Sequence, residues 1–291
     1  MKSNSIVTDN SDKSTLIPPL GGGGAIPSGG GGATIWITGA SSGIGEACSY
    51  LFASEGAKLI LTATREEQLK KVQQKCIELG AECEILPCDL LQIDRLDAIA
   101  DKALSIFGKI DILFLNAGIS QRSKAIDTDF SVDKKIMDVN FFAPVKIAKR
   151  ILPEMITCGG GTIAVTTSIT GKFGFPLRSA YAASKFALYG FFETVQAEYY
   201  EQNIRVVMVC PGRVKTNISF NALEADGTKY AQMDDGQAGG ISAEKAARKI
   251  VKAIKMQKPE VLVGGKELLM VYIKRFLPGL ARKMVRKVKA T

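Results

Sequence analysis

A chain of 291 residues, 46% of them hydrophobic, can bury a large core, and one α/β domain flanked by tails is the simplest reading. It contains no His, and its Cys residues at 48, 76, 83, 88, 158 and 210 form no C-x-x-C pair. Zinc-finger and His-metal sites, Ser-His-Asp catalysis and Cys-His catalysis are therefore excluded, and no metal is expected. Of the +9 formal charge, residues 266–291 hold eight Lys/Arg against one Glu, so basicity belongs to a tail and no nucleic-acid partner is expected.

Residues 1–33 are rich in Ser, Asp, Pro and Gly, with glycine runs at Gly21–Gly24 and Gly29–Gly32, and read as a flexible leader. No apolar run reaches the roughly 18 residues of a membrane span, and no signal pattern opens the chain. With unpaired thiols, this implies a cytoplasmic protein. From Thr34 onward short β-branched runs alternate with longer amphipathic stretches: 34–38, 58–62, 82–86, 111–115, 161–167, 204–210 and 260–264 predict seven strands. The segments between them, such as 65–79, 93–107 and 180–201, are long enough for crossover helices. A doubly wound parallel α/β sheet in a single domain over 34–265 follows, with ligands at the carboxyl ends of its strands.

After the first strand comes Thr38-Gly39-Ala40-Ser41-Ser42-Gly43-Ile44-Gly45, opening into an apolar-periodic helix. Gly39 permits a tight turn, Gly43 lets backbone approach a pyrophosphate, and Gly45 packs helix on strand. The second strand ends Thr62-Ala63-Thr64-Arg65, without the acid that would hold the ribose hydroxyls of NAD. Arg65 is then available for a 2′-phosphate, which favours NADP(H) and keeps NAD(H) as the alternative; it also reads as a solvated cation at a helix start. Asp89, followed by Leu90, stands where it can accept from an adenine amino group, and Asn116-Ala117-Gly118 gives a small-residue turn beside the cofactor.

Tyr181 and Lys185 stand four apart in a helical stretch, on one face, and Ser168 closes the fifth strand. An adjacent ammonium and a nicotinamide cation favour the ionised phenol, so Lys185 is expected, with the cofactor, to lower the Tyr181 pKa and to hold the nicotinamide ribose. Ser168 is expected to donate to the substrate oxygen, and Asn140 to anchor a water joining Lys185 to solvent.

These motifs, in this order and with Pro211-Gly212 beyond them, resemble the classical short-chain dehydrogenase/reductase superfamily over about residues 34–265. The resemblance implies a Rossmann fold, a nicotinamide cofactor, and an Asn140-Ser168-Tyr181-Lys185 tetrad. It further implies that Pro211, Gly212, Val214 and Thr216 lie at the nicotinamide end, with Thr216 at the carboxamide, and that the protein is a dimer or tetramer. The strings PGRVKTNISFNAL, SAEKAARKI and VLVGGKE are similar to dehydrogenase/reductase members 7 and 7B and their bacterial relatives, which implies a lipophilic ketone or secondary alcohol as substrate.

Residues 217–240 are expected to form a substrate lid that begins with a helix around Ile218, Phe220 and Leu223, and Phe173, Phe175, Pro176 and Leu177 an apolar pocket wall. The tail reads as two short basic amphipathic helices broken at Pro278. Three roles stand open for it: docking on anionic lipid, packing on a second subunit, or covering the cleft. The rival to an enzyme is a cofactor-binding sensor or scaffold without turnover.

Overall fold

The computed structural model describes residues 32–288, so the expected leader lies outside the described residues except for its last two positions. In chain order the elements are β1 (Thr34–Thr38), α1 (Gly43–Ser54), β2 (Lys58–Thr62), α2 (Glu66–Glu78), β3 (Cys83–Ile85), α3 (Leu96–Phe107) and β4 (Ile112–Leu115). There follow α4 (Phe130–Met137), α5 (Ala143–Thr157), β5 (Gly161–Thr166), α6 (Ser179–Glu198) and β6 (Ile204–Pro211). The chain continues through α7 (Asp235–Ala238), α8 (Ala243–Lys255), β7 (Glu260–Val263), α9 (Leu269–Phe276) and α10 (Pro278–Val285).

Strand side chains alternate between two faces, and this sorts the core into two layers. Ile35, Ile37, Leu59 and Leu61 enter the layer covered by α1, α2 and α8; Trp36, Ile60, Leu113 and Leu115 enter the layer covered by α3, α5 and α6. Strands buried on both faces read as continuous apolar runs, which is why the sequence marks them so clearly. Trp36 is fully buried and is accommodated because its indole N–H donates to the Thr62 hydroxyl at 2.8 Å.

Among the described residues the seven strands form one parallel sheet in the order β3-β2-β1-β4-β5-β6-β7. Each agrees with its predicted run to within a residue or so. The chain starts in the middle, winds outward to β3, then returns to β4 and winds the other way. The reversal between β1 and β4 leaves a crevice at their carboxyl ends, the place where such sheets hold ligands.

The predicted helix at 217–223 is absent. Residues 217–221 form turns, and Leu223 bridges to Gln121 and Lys229 instead. Its N–H donates to the Ser120 carbonyl and its carbonyl accepts from the Arg122 N–H, so pairing with the segment after β4 overrides the local apolar spacing. The two tail helices form as predicted, with Pro278 at the first position of α10, where its missing N–H costs nothing.

Candidate active site

A cavity of about 630 Å³ runs across the carboxyl ends of the strands. Every site residue predicted from the sequence lines it except Thr38, Gly45, Asn140 and Lys185, which support it from behind. Thr38 accepts from the Asn116 and Ala117 N–H groups at 3.0 and 3.2 Å, while Asn116 donates to the Thr38 and Gly39 carbonyls and accepts from Thr166. These bonds lash the ends of β1, β4 and β5 together. Gly39 has φ +68°, and a Cβ there would stand 2.8 Å from the Ala117 Cα, so both conformation and space demand glycine. A Cβ on Gly45 would stand 2.3 Å from the Gly39 carbonyl oxygen, which confirms the close helix packing read from its position.

At the other end of the glycine turn, Ser42 precedes α1 but its side chain makes no capping bond, so the first N–H groups of the helix are left for an anion. The Arg65 guanidinium reaches the Ser41 and Ser42 hydroxyls at 3.4 and 3.3 Å. One cation and two hydroxyls thus converge at the end of β2, where the sequence offers no acid. Asp89 uses one carboxylate oxygen to accept from the Leu91 N–H. Thr216 lies over the turn, its methyl 2.9 Å from where a Cβ of Gly43 would stand. The grouping fits a dinucleotide: a pyrophosphate at the helix terminus, and room beside Gly118, where a Cβ would press the Asn140 amide at 3.2 Å and the Lys185 amine at 3.4 Å.

Ser168 and Tyr181 face each other in the same cavity. The Ser168 hydroxyl accepts from the Thr170 N–H and donates to the Pro211 carbonyl. Lys185, one helical turn beyond Tyr181, is buried; its amine donates to the Thr166 carbonyl at 2.8 Å and sits 5.7 Å from the Tyr181 ring centre. Burial pushes the ammonium down to about 7. Burial also raises the Tyr181 phenol, against the opposing pull of the Ser168 hydrogen bond and the Arg178 and Arg122 charges. In the cleft without a nicotinamide cation, the charges that pull the phenol down are those of Arg178 and Arg122, and desolvation outweighs them.

Asn140 lies in a π-helical turn, Asp138–Phe142, between α4 and α5. Its side chain accepts from the Ile119 N–H and donates to the Ile119 carbonyl and the Ser184 hydroxyl. Both amide hydrogens are thereby engaged, and the side chain fixes the turn after Gly118. Of the expected apolar wall, Phe173 and Phe175 line the cavity; Pro176 and Leu177 do not.

Two groups escaped sequence reasoning. Arg122 and Arg178 both donate to Asp234, Arg122 through a bidentate pair whose closest contact is Nη2 to Oδ2, and Ser219 donates to the same carboxylate at 3.0 Å. Burial alone would raise the Asp234 carboxyl, but the Arg122 hydrogen bonds and charge hold it below its ordinary value. Nothing local marks Arg122, since its partner lies far along the chain. Glu267 accepts from the Arg213 and Gly265 N–H groups, tying the segment before α9 to the turn after Pro211. It is the single acid of a basic tail, and that was the available signal.

The short chain dehydrogenase family model matches residues 33–227. The chain is 38% identical to dehydrogenase/reductase SDR family member 7B of Xenopus tropicalis, covering 84% of this chain and 82% of that protein. It is 36% identical to the Drosophila melanogaster SDR family protein 7-like, over 84% and 76%. A short chain dehydrogenase/reductase from Burkholderia phymatum in complex with NAD superposes with a TM-score of 0.77 at 25% identity, covering 86% of this chain and 95% of that one.

Proposed function

The chain belongs to the short chain dehydrogenase family, and from that premise we propose that it is an NADP(H)-preferring oxidoreductase that interconverts a lipophilic ketone and a secondary alcohol. The observation that carries the reading is one cavity with an Arg65-Ser41-Ser42 cluster at one end and the Ser168-Tyr181 pair, backed by Lys185, at the other. When bound, the nicotinamide supplies or accepts the hydride. The protein's own part is to bind, orient and move a proton. Arg65 with the two serines holds the 2′-phosphate, and the uncapped start of α1 holds the pyrophosphate. Tyr181, kept protonated by burial, gives its proton to the carbonyl oxygen in reduction, while the Ser168 hydroxyl donates to the same oxygen as charge gathers there. Lys185 positions the ribose from behind, its amine fixed by the Thr166 carbonyl. Asn140 holds the Gly118-Ile119 turn that makes room for the ring. Phe173, Phe175, Met270 and Val285 supply an apolar surround for the substrate skeleton.

The test is a titration with NADPH and with NADH, followed by a panel of lipophilic ketones read at the nicotinamide absorbance, for the wild type and Tyr181→Phe. Tyr181→Phe is expected to bind cofactor unchanged and to lose turnover by at least about 100-fold. Retention within about tenfold would refute the proton-transfer role, and cofactor binding without turnover on any ketone would favour the sensor.

A further inference from the structure

The tail does two things at once. Its inner side closes the cavity: Met270 on α9, Val285 on α10 and Val288 beyond it line the pocket, and Ala281 is buried. Its outer side carries apolar side chains that nothing among the described residues covers. Leu269, Tyr272 and Phe276 are 61%, 52% and 70% exposed, and Leu280 and Met284 are 46% and 37% exposed. The spacing is i, i+3, i+7 on α9 and i, i+4 on α10, so each helix presents an outward apolar stripe where a solvent-facing helix would be polar. Leu277, 55% exposed, joins the two stripes at the corner. Lys266, Lys274, Arg275, Arg282, Lys283, Arg286 and Lys287 belong to the same segment, and its one acid, Glu267, is engaged with backbone N–H groups at the turn after Pro211.

We propose that the outward face of α9 and α10 docks on an anionic lipid surface, with the apolar stripes entering the headgroup boundary and the lysines and arginines meeting the lipid phosphates. The charge decides between lipid and a second copy of the chain. A two-fold contact through this face would set the same patch against itself, and seven cations against seven cations repel with no acid to separate them. Scattered exposed leucines are normal, but a helical stripe of them among one sign of charge is the pattern of an interfacial helix. Such attraction grows with each basic residue near an anionic surface and is screened by salt. The docking does not depend on the enzymatic reading.

The experiment is flotation of the full chain with phosphatidylcholine vesicles, with and without phosphatidylserine, at low and high salt. The comparison is the doubly substituted Phe276→Glu, Leu280→Glu chain. Both positions are exposed, so the variant keeps its fold, checked by an unchanged melting temperature and circular-dichroism spectrum. The expected result is flotation with the anionic vesicles only, weakened by salt and reduced at least tenfold in the variant. No flotation with anionic vesicles, equal flotation of the variant, or a self-association lost in the variant would each overturn the proposal, the last assigning the stripe to a second copy.

Discussion

At the scale of single residues, burial governs the chemistry of this cleft. Lys185 has a folded-state pKa of about 7, below that of the unfolded chain. Between the two values the unfolded chain holds the extra proton, so raising the pH stabilises the folded form. The rise is expected from about pH 7 to about pH 9, above which the buried thiols of Cys48 and Cys83, pushed up by burial and by the Cys76 hydrogen bond to Cys83, act in the opposite direction. Urea unfolding of the cofactor-free protein across this range should show the slope, and Lys185→Met should flatten it; an unchanged slope would assign it to another group. Arg65 is the other residue with a simple readout. Arg65→Ala is expected to weaken NADPH by about 10- to 100-fold, the worth of a charge-assisted hydrogen bond, and NADH by much less. Equal weakening of both, measured by nicotinamide fluorescence, would move the 2′-phosphate elsewhere. The glycine turn, Arg65 and the Tyr181-Lys185 pair were legible because their geometry is local: a turn, a strand end, one face of one helix. Arg122 was not, because its meaning lies in Asp234 on a distant loop.

At the scale of elements, the segment between β6 and α8 is held by buried polar contacts more than by its own secondary structure. Asp234 joins it to Arg122, after β4, and to Arg178, just before α6, while Leu223 pairs with the strand-like stretch at Gln121. Removing one partner of a buried ion pair leaves the other charge desolvated. Asp234→Ala is therefore expected to lower the unfolding free energy by about 3 kcal/mol and to speed proteolytic cleavage within 217–240. Unchanged stability and cleavage would show that the pair does not hold this segment. The same long-range pairing explains the misread helix at 217–223. Its apolar spacing was real, but Leu223 is spent on a neighbour that spacing does not reveal.

At the scale of the whole molecule, the doubly wound parallel sheet of seven strands was legible, since apolar strands alternating with helix-length segments can be wound in few ways. The tail's relation to the cavity was not, because amphipathic spacing shows that a face is apolar without saying what it meets. The position of β1 has a kinetic consequence. Ile35 pairs with Leu59 on one side and with Ile112 on the other, so one edge of β1 stays open until β4 has formed. Non-local parallel pairing is slow, and open edges invite other chains. Refolding from urea, followed by recovered NADPH binding, should give yields that fall as protein concentration rises; a flat yield would mean that the edge is protected. The same division assigns the glycine turn and Arg65 to the half that includes β1 and β2, and the Ser168-Tyr181 pair to the half beyond β4. A nucleotide spanning the two has its full set of contacts only after they join, so NADPH present during refolding should act by mass action as a clamp, drawing the half-sheets together before a stranger's edge arrives.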